Sequence, residues 1–598
     1  MSQLDAKQHD NDNLYKIRHS AEHILTEAMQ RVFGKEKFYM AMGPATDDGF
    51  YFDFEPLNDF KVSEEDFPKI EAEMQKIVKE NLPIIRSEVT IDEAKKLFAD
   101  NPYKMEWLES IQNRDEVISI YTTGTGFFDL CAGPHVGYTT KVKAFKLLSI
   151  AGAYWHGDEH NKMLTRVYGT AFENKADLEA HLANLEEIKK RDHRKIGKEL
   201  DLFTFSDNIG AGLPLWTPKG TIIRDEIEDW VKQTEKKWGY VRVSTPHIAK
   251  HTLYEISGHL PYYKDDMYAP MHIDGEDYYL KGMNCPHHHM IYTSSPKSYR
   301  DLPLRMAEYG MVYRYEGSGS LFGLMRVRSL CQNDAHIYCT IEQAEEEFLK
   351  SLELYDYYYQ TLGLSKKDYF AVIGLPSPAK KDKYHGDKKM WDLAEKMTRS
   401  AVERFGIKYE EDVGGAAFYG PKIDISIKST TGKVYAISTA QLDLYMPTRF
   451  NLEYTDKDGS KQLCAVIHRA PLGSHERFIG FLIEHFAGNF PVWLSPVQAK
   501  IIPITDAQHE YANKVVEQLK EQGIRVEIDD RPEKMQGKIR DAQLQKIPFM
   551  LVIGGREVES DSVAVRQRDG QDLGAIKVEE FLTQIKDLIN NKSLNLIK

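Results

Sequence analysis

The sequence predicts a multidomain protein of mixed class, α/β in one part and α+β in others, and three observations predict it. Its 598 residues exceed what one hydrophobic core supports, and ordinary domain size suggests about three or four domains. Near the N-terminus a long helical pattern precedes strand-like pieces broken by Gly and Pro, an α+β order. At the C-terminus the short apolar runs "AKIIPI", "RVEIDD", "FMLVIGG" and "SVAVRQR" alternate with helical patterns, an α/β order.

Taken in order, residues 1–12 are polar and acidic and are expected to form a disordered tail. They carry neither an apolar signal core nor an Arg-rich transit face. A helix is expected from about Leu14 to Phe33, followed by strands around "GFYFDF", "EVISIYTTG" and "FFDLCAGPHVG", so that 13–172 makes the first domain. The charged stretch "KADLEAHLANLEEIKKRDHRKIGKEL" predicts a linker helix over 173–200. A central block, 201–492, holds most of the aromatic, Gly and His residues, and the proline-flanked "NFPVWLSPVQ" separates it from a last domain, 493–598.

Hydrophobic residues make up 42% and charged residues 28%, a soluble globular profile. No apolar run reaches the eighteen or so residues of a membrane span. The five cysteines cannot build a disulfide framework, which points to a reducing cytoplasm. A net charge of −13 argues against general nucleic-acid affinity, although a local basic stripe can still engage phosphates.

Two clusters carry chemistry. "KGMNCPHHHM" sets Cys285 beside His287, His288 and His289. Neighbours on a strand point to opposite faces, so at most one or two of these can hold one ion. The alternative is a polar strand-to-helix junction beginning at Pro286. His336 in "QNDAHIYC" and His468 in "AVIHRAPLGSHERFIG" would complete a thiolate and two imidazoles, a tetrahedral zinc site with its fourth position open. In "HSAEH", His19 and His23 share a helix face, and "DLCAGPH" adds Cys131 and His135 beside Asp129. These types suit zinc, but the helix lacks the glutamate directly after the first histidine that a zinc protease uses.

From about residue 14 to the end the sequence resembles the threonyl-tRNA synthetases, a family of class II aminoacyl-tRNA synthetases. "LPLWTPKGTIIRDEIEDWVKQTEKKWGYVRVSTP", "RMAEYGMVYRYEGSGSLFGLMRVRSLCQNDAHIYC" and "GSHERFIGFLIEHF" are similar to the three class II motifs, the first of which forms a dimer interface. The resemblance implies an N-terminal α+β editing domain, a class II antiparallel sheet flanked by helices, and a C-terminal α/β anticodon-binding domain. It implies a cytoplasmic homodimer that activates L-threonine with ATP and Mg²⁺, transfers it to tRNA(Thr), and hydrolyses mischarged seryl-tRNA.

It also implies roles for residues. Zinc would be held by Cys285, His336 and His468, with His287, His288 and His289 as exposed or locally bonded non-ligands. Arg314, Glu316, Arg326, Arg477 and Gln441 would hold ATP, and an arginine fork suits the charge that builds on its α-phosphate. Gln332, Asp334, Tyr419 and Lys422 would hold the amino acid, and His259 would accept a proton from the tRNA ribose. Zinc would discriminate threonine from isosteric valine, which apolar pockets do poorly. Serine, with the same hydroxyl, needs a second sieve. There His19, His23, Lys104, Asp129, Cys131 and His135 would either bind zinc or, as the family points, orient a water and the ester without metal. Glu557 and Arg566 would meet anticodon bases, whereas Lys534, Lys538 and Arg540 read as a solvated helix face.

The sequence departs from the family at Leu260, Phe322 and Ala436, where Trp, His and Gln are usual, and in "KGMNCPHH". The small ubiquitin-like domain that precedes most bacterial relatives is expected to be absent. Two alternatives remain: a synthetase for serine or another amino acid, separable by zinc-dependent rejection of valine, and a non-catalytic RNA-binding regulator, which predicts lost ligands or arginines.

Overall fold

The computed structural model describes residues 12–114, 116–158, 160–429 and 432–597. Residues 1–11 of the expected tail lie outside the described residues. Asp12 does not behave as a tail: its carboxylate accepts the Tyr15 N–H and caps the helix Asn13–Phe33, a position that favours Asp. The chain forms two compact units, to Glu186 and from Glu187. The predicted single linker helix is two helices, Lys175–Arg191 and His193–Glu199. Asp192 separates them with a non-helical ψ of 121°, and its side chain accepts the Arg194 N–H.

In the first unit the helix Asn13–Phe33 covers an antiparallel sheet ordered Phe38–Met42, Phe50–Pro56, Met163–Phe172, Ala144–Tyr154. Ile17, Ile24 and Leu25 from the helix meet Phe52, Phe54 and Val167 from the sheet in one core. A smaller sheet of Ile84–Glu88, Ser119–Thr123 and Phe127–Leu130 stands beside it. This is the expected α+β order.

The second unit is built on eight strands ordered Tyr240–Arg242, Leu304–Tyr313, Ser329–Cys339, Ala465–Ala470, Val434–Asp443, Lys422–Lys428, Tyr369–Leu375, Tyr409–Val413. The pairings are antiparallel except at the two edges, where the outermost strands run parallel to their neighbours. Helix Ile341–Thr361 buries Phe348, Leu352, Tyr355 and Tyr359 against one face, a spacing that makes a single stripe. Ile337, Ile423, Leu442 and Ile467 supply the sheet side of that core.

Register fixes what faces the other way. His336 pairs with His468, His468 with Gln441, and Gln441 with Lys422. Paired positions share a face, so four residues from distant segments line up in one row across four adjacent strands. The C-terminal part has its own sheet, ordered Val526–Ile528, Ala499–Pro503, Phe549–Ile553, Ser562–Gln567, Asp572–Lys577. Its first three strands are parallel and the rest antiparallel, in keeping with the α/β reading. Among the described residues no helix is long and apolar enough to cross a membrane, and all five cysteines are unpaired.

Candidate functional site

Cys285 opens a helix, Cys285–Thr293, with Pro286 in its first turn. The strand geometry that limited the three histidines therefore does not apply. Successive side chains fan around the helix by about 100°, and all three histidines are buried rather than exposed. His289 Nδ1 meets the Tyr338 hydroxyl at 2.9 Å. His287 has no hydrogen-bond partner among the described residues, and burial lowers its pKa to about 4. His288 is tied at both ends, Nε2 to Glu308 at 3.0 Å and Nδ1 to His336 Nδ1 at 2.7 Å.

Cys285, His336 and His468 each offer a ligand atom, and these atoms lie within 4.8 Å of one another. Cys285 Sγ is 3.3 Å from His468 Nδ1. The surrounding bonds dictate where the ring protons sit. Burial works against charge on Glu308, but His288, Lys281 and Thr245 outweigh it and hold its pKa at about 2. The Glu308 carboxylate can only accept, so His288 donates from Nε2 and its Nδ1 accepts from His336. The lone pair of His336 is then on Nε2, which is buried and unpartnered among the described residues. Such an atom costs about 1–3 kcal/mol unless something binds it. Asp443, which also accepts the Tyr445 and Met446 N–H groups, takes the Nε2 proton of His468 at 2.8 Å. Nδ1 of His468 thereby faces Cys285. One sulfur and two imidazole lone pairs, each backed by a carboxylate, fit a zinc ion. Burial opposes charge on both members of the Cys285–His468 pair. It raises the thiol, whereas at His468 Cys285 and Asp443 prevail and carry the imidazole up to about 10, so a bound ion would displace a proton from Nδ1. The Asp443 carboxylate that favours the charged ring is itself fixed by two backbone donors.

A cavity of about 520 Å³ is lined by Cys285, Asp334 and His468 and also by Arg314, Arg326 and Arg477. The Arg314 guanidinium has no hydrogen-bond or ion-pair partner among the described residues. Arg326 pairs with Glu316 at 2.8 Å. Arg477 donates to the backbone carbonyls of Met325 and Ala436. Although Arg477 borders open space, burial and then the charges of Arg314 and Arg326 lower its pKa. Three guanidinium groups converging with so little compensation make a site for a polyanion. Around the cavity Asn284 donates to Asp334 at 3.0 Å, the Tyr419 hydroxyl meets the Gln441 carbonyl, and Lys422 pairs with Asp424 at 2.8 Å. Gln332 also borders the cavity. His259 is buried, bonded through Nδ1 to Ser257 at 2.7 Å and resting by Nε2 on Met283. Burial, then the charges of Arg314 and His468, lower its pKa to about 4, and Met283 rather than His259 reaches the cavity wall.

In the first unit His19, His23, Cys131 and His135 also place ligand atoms within 4.8 Å of one another. Cys131 Sγ lies 3.3 Å from both His19 Nε2 and His135 Nε2. His19 Nδ1 meets the Pro134 carbonyl and His135 Nδ1 the Ser20 hydroxyl. Lys104 pairs with Asp129 at 2.7 Å. Burial lowers His19 and His23 to about 3 and raises Cys131 to about 12, so the cluster is electrically neutral. It borders a small cavity of about 100 Å³ that Glu22 also lines.

Residues 268–486 match the family described as tRNA synthetase class II core domain (G, H, P, S and T). Residues 498–588 match an anticodon binding domain, and 118–168 the threonyl and alanyl tRNA synthetase second additional domain. The threonine–tRNA ligase of Staphylococcus carnosus is 48% identical over 584 residues, covering 97% of this chain and 89% of that protein. The chain belongs to the threonine–tRNA ligase family. The Sulfurihydrogenibium threonine–tRNA ligase is likewise 48% identical over 588 residues, 98% of this chain and 90% of its own. The crystal structure titled as the RNA binding domain of threonyl-tRNA synthetase from Cryptosporidium parvum superposes with a TM-score of 0.63 at 34% identity, over 66% of this chain and 98% of that one.

Of the three positions expected to depart from the family, Ala436 lines the cavity. Ala436 gives Arg477 a backbone carbonyl. Phe322 lies under the Arg194 guanidinium, 4.4 Å from ring centroid to Cζ, and Leu260 carries a non-helical ψ of 123° within His259–Tyr262. Toward the C-terminus Glu557 accepts the Gly554 N–H and Arg566 pairs with Asp572 at 2.9 Å. Lys538 corrects the expected solvated face: it is buried and donates to the Asp529 carbonyl at 2.9 Å, while Lys534 and Arg540 are exposed. Sequence reasoning passed over Asp443, Glu308 and Glu22. Asp443 carried a signal, standing two residues after Gln441 on one strand and so on the same face. Glu22 stands directly before His23.

Proposed function

We propose that this chain is a threonine–tRNA ligase: it joins L-threonine to ATP as threonyl-adenylate, passes threonine to tRNA(Thr), and hydrolyses seryl-tRNA in its N-terminal unit. The observation that carries the reading is one cavity lined both by Cys285 and His468, whose ligand atoms cluster with that of His336, and by three arginines. Cys285, His336 and His468 would hold zinc. When bound, zinc supplies a Lewis-acidic point for the amine and hydroxyl of threonine. Asp334, Gln332, Tyr419 and Lys422 surround the amino acid. Arg314 and Arg477 face the α-phosphate, and Arg326, Glu316 and Gln441 the rest of ATP and its Mg²⁺. Negative charge that builds as the carboxylate attacks is taken by preorganised guanidinium groups. His259, neutral at pH 7, would take a proton from the tRNA ribose if its Nε2 exchanged Met283 for the substrate.

For editing, the contacts of Cys131 with His19 and His135 support a metal-free site that orients a water and the ester, with Lys104 and Asp129 as a fixed charged pair. The closeness of the four donors favours zinc as the second reading, and metal analysis of the Cys285→Ala protein separates the two. We further assign 13–172 to editing, 201–492 to catalysis and 493–598, with Glu557 and Arg566, to the anticodon, in a cytoplasmic homodimer. ATP–pyrophosphate exchange tests the reading. Threonine should support exchange that a chelator abolishes, and valine should not; absence of threonine-dependent exchange would defeat it.

A further inference from the structure

The segment connecting strands Leu304–Tyr313 and Ser329–Cys339 carries Arg326 and turns at its tip, where the Phe322 carbonyl accepts the Met325 and Arg326 N–H groups. The tip is gripped from outside the sheet. The Leu324 N–H points at His193 Nε2, 3.1 Å away. A backbone N–H can only donate, so Nε2 must carry the lone pair and the ring proton must be on Nδ1. Nδ1 lies 2.8 Å from Glu484 Oε1, which also accepts the His193 N–H. The second Glu484 oxygen accepts the Tyr435 hydroxyl. His193 is wholly buried. Asp192, His193 and Glu484 look like metal donors by proximity, but both His193 nitrogens are engaged, which leaves no donor for an ion.

Two more observations place this contact on the cavity side. A Cβ added to Gly323, at φ +49°, would lie 2.2 Å from His193 Nε2. Glu484 and Arg477 are seven residues apart on helix His475–Phe486, hence on one face. Arg477 donates directly to the Met325 carbonyl at 3.2 Å, and Glu484 reaches Leu324 through His193. One helix thus holds two consecutive residues of the tip.

We propose that His193, oriented by Glu484, is a positioning residue that locks the tip of this segment so that Arg326 is set for the nucleotide. It rests on the reading that Arg326 meets ATP. The two ideas are tested together by pyrophosphate exchange with the full chain, varying ATP at saturating threonine and then the reverse. In His193→Ala the KM for ATP should rise roughly tenfold, the scale of one buried hydrogen bond, while the KM for threonine stays within about twofold. His193→Gln, whose amide can accept from Leu324 and donate to Glu484, should recover part of the loss. Gly323→Ala, which pushes the tip off His193, should mimic His193→Ala and decides the matter if the latter does not fold. Unchanged ATP dependence in both, or equal loss for ATP and threonine, overturns the proposal. If Arg326→Ala also leaves the KM for ATP unchanged, the nucleotide reading itself fails.

Discussion

Two clusters of cysteine and histidine, one in each unit, use the same residue types and are wired differently. Around Cys285 each imidazole passes its spare proton to a carboxylate: His336 through His288 to Glu308, and His468 to Asp443. That leaves a lone pair on each ring aimed inward. Around Cys131 no ring nitrogen is hydrogen-bonded to a carboxylate among the described residues. His19 and His135 spend their nitrogens on Cys131, a carbonyl and a hydroxyl, and Asp129 is occupied by Lys104. Carboxylates behind histidines raise ligand basicity and fix the tautomer; in the second cluster the nearest, Glu22, stands 3.9 Å from His23 Nε2, beyond hydrogen-bond reach. The lesson is that donor identity alone does not make a metal site.

The largest effect should come from the first cluster. Cys285→Ala or His468→Ala should remove bound zinc and lower kcat/KM for threonine activation at least roughly 10²–10³-fold, the scale of losing a preorganised electrostatic contact. Metal analysis and pyrophosphate exchange read both. Next, Cys131→Ala should slow seryl-tRNA hydrolysis on the order of 10²-fold, a general acid–base magnitude, and leave threonylation intact. Equal loss of both activities would erase the contrast between the units. A smaller change tests the wiring: His288→Ala and Asp443→Asn should each weaken zinc affinity about 10–100-fold in a chelator competition. Wild-type affinity in both would mean that the carboxylate chains are packing only.

The smallest effect concerns pH. Burial holds His19 and His23 near 3 in the folded state, against about 6.5 when unfolded. Below pH 6.5 the unfolded chain binds protons that the folded one refuses, so stability falls as pH drops from about 6.5 toward 3. His23→Gln should make that decline shallower in thermal unfolding. An identical slope would contradict the neutral state assigned to this cluster.

Much of the fold was legible in the sequence, because helix and strand periods and Pro/Gly boundaries are local signals. The break in the linker was legible too, since Asp192 in "KKRDHRK" is an ordinary cap residue, but an unbroken charged run outweighed it. The first cluster was legible only through its motifs. His336 and His468 meet because two antiparallel strands are in one register, and nothing local to either segment specifies that register. The same holds for His193, whose meaning depends on an N–H more than a hundred residues away. Lys538 misled because a lysine in a charged helical run is ordinarily solvated, whereas here its ammonium donates to the Asp529 carbonyl.

The most direct measurement is X-ray absorption at the zinc edge on the purified full chain, with Cys285→Ala beside it. The account predicts zinc with one sulfur at about 2.3 Å and two imidazole nitrogens at about 2.0–2.1 Å, light-atom ligands that change when threonine is added, and loss of that sulfur in the variant. Zinc that keeps its sulfur in Cys285→Ala, or a first shell indifferent to threonine, would contradict it.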